Sequence, residues 1–171
     1  MCTLTNTKPD KAFPSLVKCY KNNKSSCCNA GQDAYIKDKM EAFFPDSCQR
    51  SFDEITRYFC FGCTSKEPKA VRTITTNATS TKPATSRKAI IMCKSYIEEL
   101  WGGVLTKPTT RFDNCGMTLP DGSGSKVILP SLQFQNVSQF LSAVKPPLYD
   151  DYEILVIDDK DYMDCYGNRA I

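Results

Sequence analysis

Ten cysteines in 171 residues constrain this chain more than any other feature of its sequence. The number is even and the density is high, which is typical of five disulfides formed in an oxidising compartment. Two of the cysteines, Cys27 and Cys28, are neighbours. Their Cα atoms must lie about 3.8 Å apart, closer than a disulfide ordinarily allows, so each is expected to bond to a different partner. This pair would then hold two other segments of the chain at one point.

The chain contains no histidine. A Ser-His-Asp triad, a Cys-His pair, a histidine-ligated zinc and an imidazole base are thereby excluded. The Cys60-x-x-Cys63 motif closes a predicted helix, whereas a thioredoxin-like dithiol opens one, so a structural role is favoured. A four-cysteine zinc site would need a second close pair, and the acidic residues of 150–164 lack the order of a calcium-binding loop. We predict a protein that is not an enzyme and that needs neither metal nor cofactor.

Three Asn-x-Ser/Thr sequences offer acceptors for N-linked glycans, at Asn23, Asn77 and Asn136. Together with the cysteines, they predict a secreted or cell-surface protein. Residues 1–6 lack the basic and apolar regions of a signal peptide, so we expect a processed chain or a fragment of a longer one. No apolar run is long enough to span a bilayer, although an anchor removed earlier would leave no trace.

Hydrophobic periodicity predicts three amphipathic helices, over residues 32–44, 47–60 and about 87–101. Gly102-Gly103 would end the third, and Trp101 just before it is expected to anchor the core or its edge. Residues 64–86 are rich in Thr, Ser, Lys and Pro, which indicates an exposed loop or hairpin.

After Cys115 the chain changes character, because Gly and Pro interrupt it and two short apolar runs indicate strands, over 126–129 and 152–157. Asn136 to Val144 is predicted to form one short helix. The predicted fold class is α+β. It comprises a disulfide-crosslinked helical body with short strands over residues 1–115, and a β-rich, acidic tail over 116–171 that packs on or beside the body.

The charge is divided unevenly along the chain. Residues 1–111 carry 18 Lys and Arg against 10 Asp and Glu, and residues 112–171 carry 4 against 9. Such a chain could associate head to tail, or it could simply present two solvated surfaces. Six basic residues near the Thr-rich segment could contact a polyanionic glycan, and nucleic acid is not expected as a partner outside the cell: Lys66, Lys69, Arg72, Lys82, Arg87 and Lys88.

One stretch has a recognisable order of cysteines: Cys19-x7-Cys27-Cys28, Cys48 and Cys60-Phe-Gly-Cys63, with the helical pattern Phe52-x-x-Ile55-x-x-x-Phe59 before the last pair. With Asn23 as glycan acceptor, it resembles the folate-receptor-like superfamily, and within it the cholesterol-binding luminal domains of the Niemann-Pick type C proteins. The resemblance is strongest over residues 19–63 and weaker over 2–101. Cys63-Thr64-Ser65 stands where the family has Cys-Ser-Pro, and the last cysteine spacing is one residue shorter.

The resemblance implies disulfides by position: Cys2–Cys27, Cys19–Cys60 and Cys28–Cys63. For the four cysteines that remain, we expect Cys48–Cys93 and Cys115–Cys165. The resemblance also implies a non-catalytic domain of a superfamily that holds folate, riboflavin or sterol. Folate and riboflavin binders sandwich flat rings between several tryptophans, whereas this chain has Trp101 alone.

Two functions follow as hypotheses. The favoured one is a structural or interaction subunit of an extracellular filament. In it, the basic body of one copy meets the acidic tail of the next as a head-to-tail homo-oligomer, with the strands at 126–129 and 153–157 as edges for pairing. The alternative is a binding protein for a small apolar or planar ligand, such as a sterol, pterin or flavin.

Overall fold

The protein was analysed as a computed structural model, which describes residues 1–109, 111, 117–120, 126–128, 134–159 and 164–167. Its helices are α1 (Ala30–Phe43), α2 (Asp46–Ser51), α3 (Asp53–Phe59), α4 (Glu67–Ala70), α5 (Lys94–Trp101) and α6 (Val137–Ala143). Its strands are β1 (Val71–Thr76), β2 (Thr85–Cys93), β3 (Thr118–Pro120), β4 (Lys126–Ile128) and β5 (Glu153–Ile157). The predicted disulfide-crosslinked α+β fold is confirmed. No helix in these ranges is both long and apolar enough to cross a membrane.

Helix α1 begins two residues before its predicted start because a reciprocal cap fixes it there. The Asn29 side chain accepts a hydrogen bond from the Gln32 amide, and the Gln32 side chain accepts one from the Asn29 amide, both at 2.9 Å. From this start, Ile36 and Met40 face the core one turn apart, as the periodicity predicted.

The segment predicted as one helix over 47–60 forms two, α2 and α3. Phe52 leaves the helical conformation between them, with φ −132° and ψ 88°. Its amide still donates to the Cys48 carbonyl at 3.1 Å, so it closes α2 and opens α3. Cys48, Ile55 and Phe59 are all buried despite the break. The apolar spacing therefore predicted these three buried positions correctly, Phe52 is half-buried, and the predicted continuity of the helix is wrong.

The helix predicted over 87–101 is wrong in its first half, which belongs to strand β2. Residues Ala89–Cys93 are all buried, because β2 lies at the centre of the sheet. A strand buried on both faces is continuously apolar, and its sequence cannot be told from a buried helix by periodicity. Helix α5 follows directly and ends at Gly102, whose φ of 71° suits glycine.

The sheet has the order β1-β2-β5, so the tail supplies one of its strands. Strand β1 pairs antiparallel with β2, from Val71 opposite Ile90. Strand β5 pairs parallel with β2, from Ala89 opposite Glu153. The hairpin between β1 and β2 is exposed at its tip, as predicted. The described part of the last third has strands of three, three and five residues and helix α6, so its predicted β-rich character is not supported.

Segment 64–86 also contains buried structure that its composition did not indicate. Glu67 in α4 is fully buried. Its carboxylate accepts hydrogen bonds from the Thr3 amide at 3.1 Å and from the Tyr149 hydroxyl at 2.7 Å. Burial of a carboxylate requires such partners, and these two come from distant parts of the chain. Glu67 therefore joins the N-terminal residues to the segment that leads into β5.

The three disulfides implied by the resemblance are present: Cys2–Cys27, Cys19–Cys60 and Cys28–Cys63. The expected pairs Cys48–Cys93 and Cys115–Cys165 are wrong, because Cys93 bonds to Cys165. The cause is a backbone contact at the end of β2, where the Tyr166 amide donates to Ile91 at 2.9 Å and the Cys93 amide donates to Tyr166 at 3.0 Å. Cys48 is also disulfide-bonded, and Cys115 lies outside the described residues.

Peptide mapping of the unreduced protein tests the corrected pairing. We expect a linked peptide that contains Cys93 and Cys165, because the backbone bonds of Tyr166 place these residues side by side. Mass spectrometry with and without reductant identifies the bridge. A peptide that links Cys93 to Cys48 would contradict the pairing.

Candidate ligand-binding cleft

A loop over residues 10–26 forms one wall of a cleft through its residues 17–22. The backbones of Asp10 and Ser26 pair at its base, with N–O distances of 3.0 and 2.7 Å. Leu16 and Cys19 are buried beneath it, and Cys19 is bonded to Cys60 at the end of α3. The loop is therefore anchored at both ends and in the middle.

Asp33 in the first turn of α1 fixes the part of this loop nearest the cleft. Its buried carboxylate accepts three backbone hydrogen bonds, from the amides of Val17 at 2.7 Å, Lys18 at 2.9 Å and Cys19 at 2.7 Å. A carboxylate can satisfy three donors that face one point, and the N-terminal end of a helix favours its negative charge. Sequence reasoning missed this residue, since an aspartate in a first helical turn is ordinarily exposed.

Asn23, the first predicted glycan acceptor, braces the same loop. Its Oδ1 accepts from the Leu16 amide at 2.6 Å, and its Nδ2 donates to the Leu16 carbonyl at 3.2 Å. A glycan on Nδ2 would replace one of the two N–H bonds of this half-buried amide. The structure thus gives Asn23 a packing role that its acceptor sequence did not predict.

The other two acceptor sequences lie in different settings. Asn77 is exposed in the β1–β2 hairpin and leaves room for a glycan. Asn136 caps α6, where its Oδ1 accepts from the Gln139 amide at 3.0 Å. Glycosylation at all three positions stays a prediction, and Asn77 has the most accessible acceptor.

The cleft has a volume of about 720 Å³ and lies between this loop, α2, α3 and the segment after Cys63. That volume falls in the range of sites for small organic ligands. Its charged lining is mainly basic and comprises Lys18, Lys21, Arg50, Arg57 and Lys66, with Asp46 and Asp53 as the acids. The electrostatic potential of such a concave, basic surface favours an anion.

Three of the five cations already have partners in the chain. Lys21 forms an ion pair with Asp53 at 2.7 Å. Lys18 donates a hydrogen bond to Gln49, and the Arg57 guanidinium lies over the Tyr96 ring at 4.9 Å from its centroid.

The other two cations, Arg50 and Lys66, are exposed, and their side chains have no hydrogen-bond or ion-pair partner among the described residues. Arg50 projects from α2, and Lys66 follows the Cys60–Cys63 turn. Both line the same cleft, so an anion that enters it meets two positive charges that no described residue pairs with. These two side chains are the candidate ligand-binding groups.

The wall of the cleft also carries exposed apolar groups. Val17 is 76% exposed and Tyr20 is 60% exposed, and both line the cleft. Phe13, on the same loop, is 96% exposed. Side chains of this kind usually pack inside a protein, so a group of them beside a cleft indicates a contact surface.

Burial shifts the pKa values of two groups in the cleft. Partial burial lowers the pKa of the Lys18 ammonium, against the opposing effect of the Glu41 carboxylate. Burial raises the pKa of the Tyr166 phenol to about 12, so this hydroxyl stays protonated and donates to the Arg57 carbonyl at 3.0 Å. Tyr166 is therefore not poised for proton transfer near neutral pH.

Of the basic residues that the sequence grouped around the Thr-rich segment, Lys66 is the one that lines the cleft. Arg72 pairs with Asp164 at 3.4 Å, and Arg87 pairs with Glu153 at 3.1 Å. The ammonium of Lys88 lies over the Tyr152 ring. The sheet thus brings part of the basic body against the acidic tail within one chain, because β5 pairs with β2.

Cys19, Asp33 and Cys63 place a sulfur, an oxygen and a sulfur within 4.8 Å of one another, a spacing that suits a metal. Both cysteines are in disulfides, so they offer no thiolate, and the Asp33 oxygens are occupied by three amides. The chemistry of this buried group is therefore structural. It forms the support behind the cleft wall.

No protein-family model matches the sequence, and no curated protein matches it either. The resemblance to the folate-receptor-like superfamily therefore stays a prediction from the order of its cysteines. The roles assigned to the cleft residues depend on their own contacts and charges.

Replacing Asp33 by Asn tests whether this carboxylate holds the cleft wall. We expect a loss of about 2–4 kcal/mol in the free energy of unfolding. The NH₂ group of the new side chain would face backbone N–H groups, so at least one of the three hydrogen bonds would be lost. Asp38→Asn, on the exposed side of the same helix, is the matched control and should change stability by less than about 0.5 kcal/mol. Denaturant unfolding with the disulfides intact measures both. Equal effects of the two changes would contradict the assigned role.

Proposed function

We propose that the protein is an extracellular, disulfide-crosslinked binding module that holds an anionic ligand in the cleft lined by Arg50 and Lys66. The observation that carries this proposal is a mainly basic cleft of about 720 Å³ in which two cations have no partner among the described residues. A guanidinium offers paired N–H donors that fit a carboxylate, sulfate or phosphate, and an ammonium adds a second positive charge.

The surroundings of the cleft support binding rather than catalysis. The chain has no histidine, and the pKa shifts in the cleft leave Tyr166 protonated near neutral pH. The walls are held by the Cys19–Cys60 disulfide and by the three hydrogen bonds of Asp33. A wall fixed before the ligand arrives loses little conformational freedom on binding, which favours affinity.

An extracellular location is supported by the disulfides and by the exposed acceptor at Asn77. The tryptophan-based mode of folate and riboflavin binders is not available in the described molecule. Trp101 is fully buried, and its Nε1 donates to the Lys107 carbonyl at 2.9 Å. The aromatic side chain that an occupant of this cleft meets at its exposed wall is Tyr20.

Titration with citrate, a compact anion with several carboxylates, tests this function. In ¹H–¹⁵N NMR spectra of the wild type, we expect shifts at the amides of residues 17–22, α2 and α3. Arg50→Glu should weaken binding at least about tenfold, since it replaces a charge-assisted contact by repulsion. Lys107→Glu makes the same charge change at an exposed site outside the cleft lining and should bind like the wild type. Equal binding by all three proteins would contradict the proposal.

A second candidate, self-association, is supported by the edges of the sheet. Strands β1 and β5 are the outer strands, and no described residue pairs with the outer edge of either. An open groove of about 560 Å³ runs beside β5 and includes Ile154, Leu155 and Val156, with Leu141 of α6 opposite. If β1 of one copy pairs with β5 of the next, each addition leaves a free edge, as a filament requires.

Self-association through contact between the basic body of one copy and the acidic tail of the next is less well supported. Glu153, Asp158 and Asp164 of the tail form ion pairs with Arg87, Lys94 and Arg72 of the same chain. A neighbouring copy would have to displace these contacts before its own basic residues could bind there. The apolar edge at β5 is therefore the stronger ground for the second candidate.

Sedimentation velocity over a range of protein concentrations tests self-association. Leu155→Lys introduces a charge at the edge and in the groove, and should shift association to higher concentration. Val104→Lys, at an apolar residue that is 61% exposed elsewhere, is the control and should associate like the wild type. A wild-type protein that stays monomeric throughout would exclude this candidate.

A further inference from the structure

We infer that the cleft is built for an acidic glycan, a chain of sugars that carries carboxylate or sulfate groups. This inference rests on the proposed function and narrows it to a class of ligand. It comes from three features of the described residues: the mixed charge of the lining, the exposed aromatic wall, and the basic residues that continue beyond the cleft.

The first feature is the presence of acids among the cations. Asp46 is exposed in the cleft near Arg50 in sequence, on the same helix α2. Its carboxylate repels a ligand that offers only negative charge. A sugar chain offers hydroxyl donors as well as anions, so its hydroxyls can donate to Asp46 while its carboxylates or sulfates meet Arg50 and Lys66. The lining therefore fits a ligand of alternating hydroxyl and anionic groups.

The second feature is the exposed ring of Tyr20. It lies at the wall of the cleft between Cys19, which is bonded to Cys60, and Lys21, which is paired with Asp53. The Cys19–Cys60 disulfide holds the backbone before Tyr20, and the Asn23 amide donates to the Tyr20 carbonyl at 3.1 Å, so the ring is displayed from a fixed position. The C–H face of a sugar ring is apolar and packs against an aromatic face, while the tyrosine hydroxyl stays in water.

The third feature is the extension of positive charge along the loop. Lys11 and Lys24 are exposed on its two paired segments, which the Ala12 amide joins by donating to the Asn23 carbonyl at 3.0 Å. Lys24 is two residues from Asn22, which lines the cleft. A single small anion would not reach these lysines. A sugar chain of several units could follow them out of the cleft.

A membrane surface is the alternative source of anions, because exposed Phe13 and the lysines also suit anionic lipid. The observations favour a glycan. The cations face a concave cleft, which a flat bilayer fills poorly, and Asp46 and Asp53 lie among them. The experiment must therefore distinguish binding to lipid from binding to a glycan.

Calorimetric titration of the full chain with defined oligosaccharides tests the inference. The probes are a heparin hexasaccharide, a heparosan hexasaccharide that retains only carboxylates, and neutral dextran. We expect binding of at least one acidic probe and none of dextran, with affinity that falls as salt rises. Preference between the two acidic probes identifies sulfate or carboxylate as the recognised group.

Two variants locate the site. Arg50→Glu should weaken binding of the acidic oligosaccharide by about tenfold or more. Tyr20→Ala should weaken it by about fivefold and should weaken citrate binding less than that, because citrate has no sugar ring to pack on Tyr20. Tyr35→Ala removes another exposed tyrosine, outside the cleft lining, and should bind both ligands like the wild type.

The possible failures are separable. Arg50-dependent binding of citrate without binding of either acidic oligosaccharide would overturn the glycan inference and leave the anionic site standing. Absence of both would overturn the inference and the proposed function together. Arg50-dependent binding to phosphatidylcholine vesicles that contain phosphatidylserine, with no oligosaccharide bound, would assign the surface to lipid and overturn the glycan.

Discussion

The vicinal pair Cys27-Cys28 is the constraint on which the rest of the structure depends. Cys27 bonds to Cys2 and Cys28 bonds to Cys63, so one point of the chain holds the N-terminal residues and the end of the Cys60–Cys63 turn. Backbone bonds add to these bridges, since the Cys27 amide donates to the Cys63 carbonyl at 3.1 Å. The loop before the pair and α1 after it therefore start from a fixed position. The loop forms a wall of the cleft, and Asp33 of α1 holds that wall through three backbone hydrogen bonds.

The position of the acidic tail explains why cations of the cleft remain free to bind an anion. The parallel pairing of β5 with β2 brings the acidic tail to the sheet, where its carboxylates meet Arg72, Arg87 and Lys94. Exposed ion pairs of this kind contribute little stability one by one. They keep these carboxylates of the tail at the sheet and away from the cleft. Arg50 and Lys66 in the cleft have no partner among the described residues. The uneven charge of the sequence thus becomes a local, mainly basic site.

The sequence predicted which residues are buried better than it predicted which residues line the cleft. Ile36, Phe59 and Leu100 are buried as the apolar spacing predicted. The cleft residues carried weaker signals, because Lys18, Tyr20 and Lys21 form a short basic and aromatic stretch that resembles many solvated loops. Asp33 gave no signal at all, since its three amide donors come from residues 14 to 16 positions earlier in the chain.

The sequence by itself determined the number of cysteines, the need for Cys27 and Cys28 to bond to different partners, and the lack of imidazole chemistry. Those conclusions depend on covalent geometry and on which functional groups exist, so they hold in any fold. Only the tertiary structure decided that Cys93 bonds to Cys165, that the first half of the predicted third helix is a central strand, and that Arg50 and Lys66 share a cleft. Each of these depends on contacts between segments far apart in the chain, and such contacts leave no periodic pattern in the sequence.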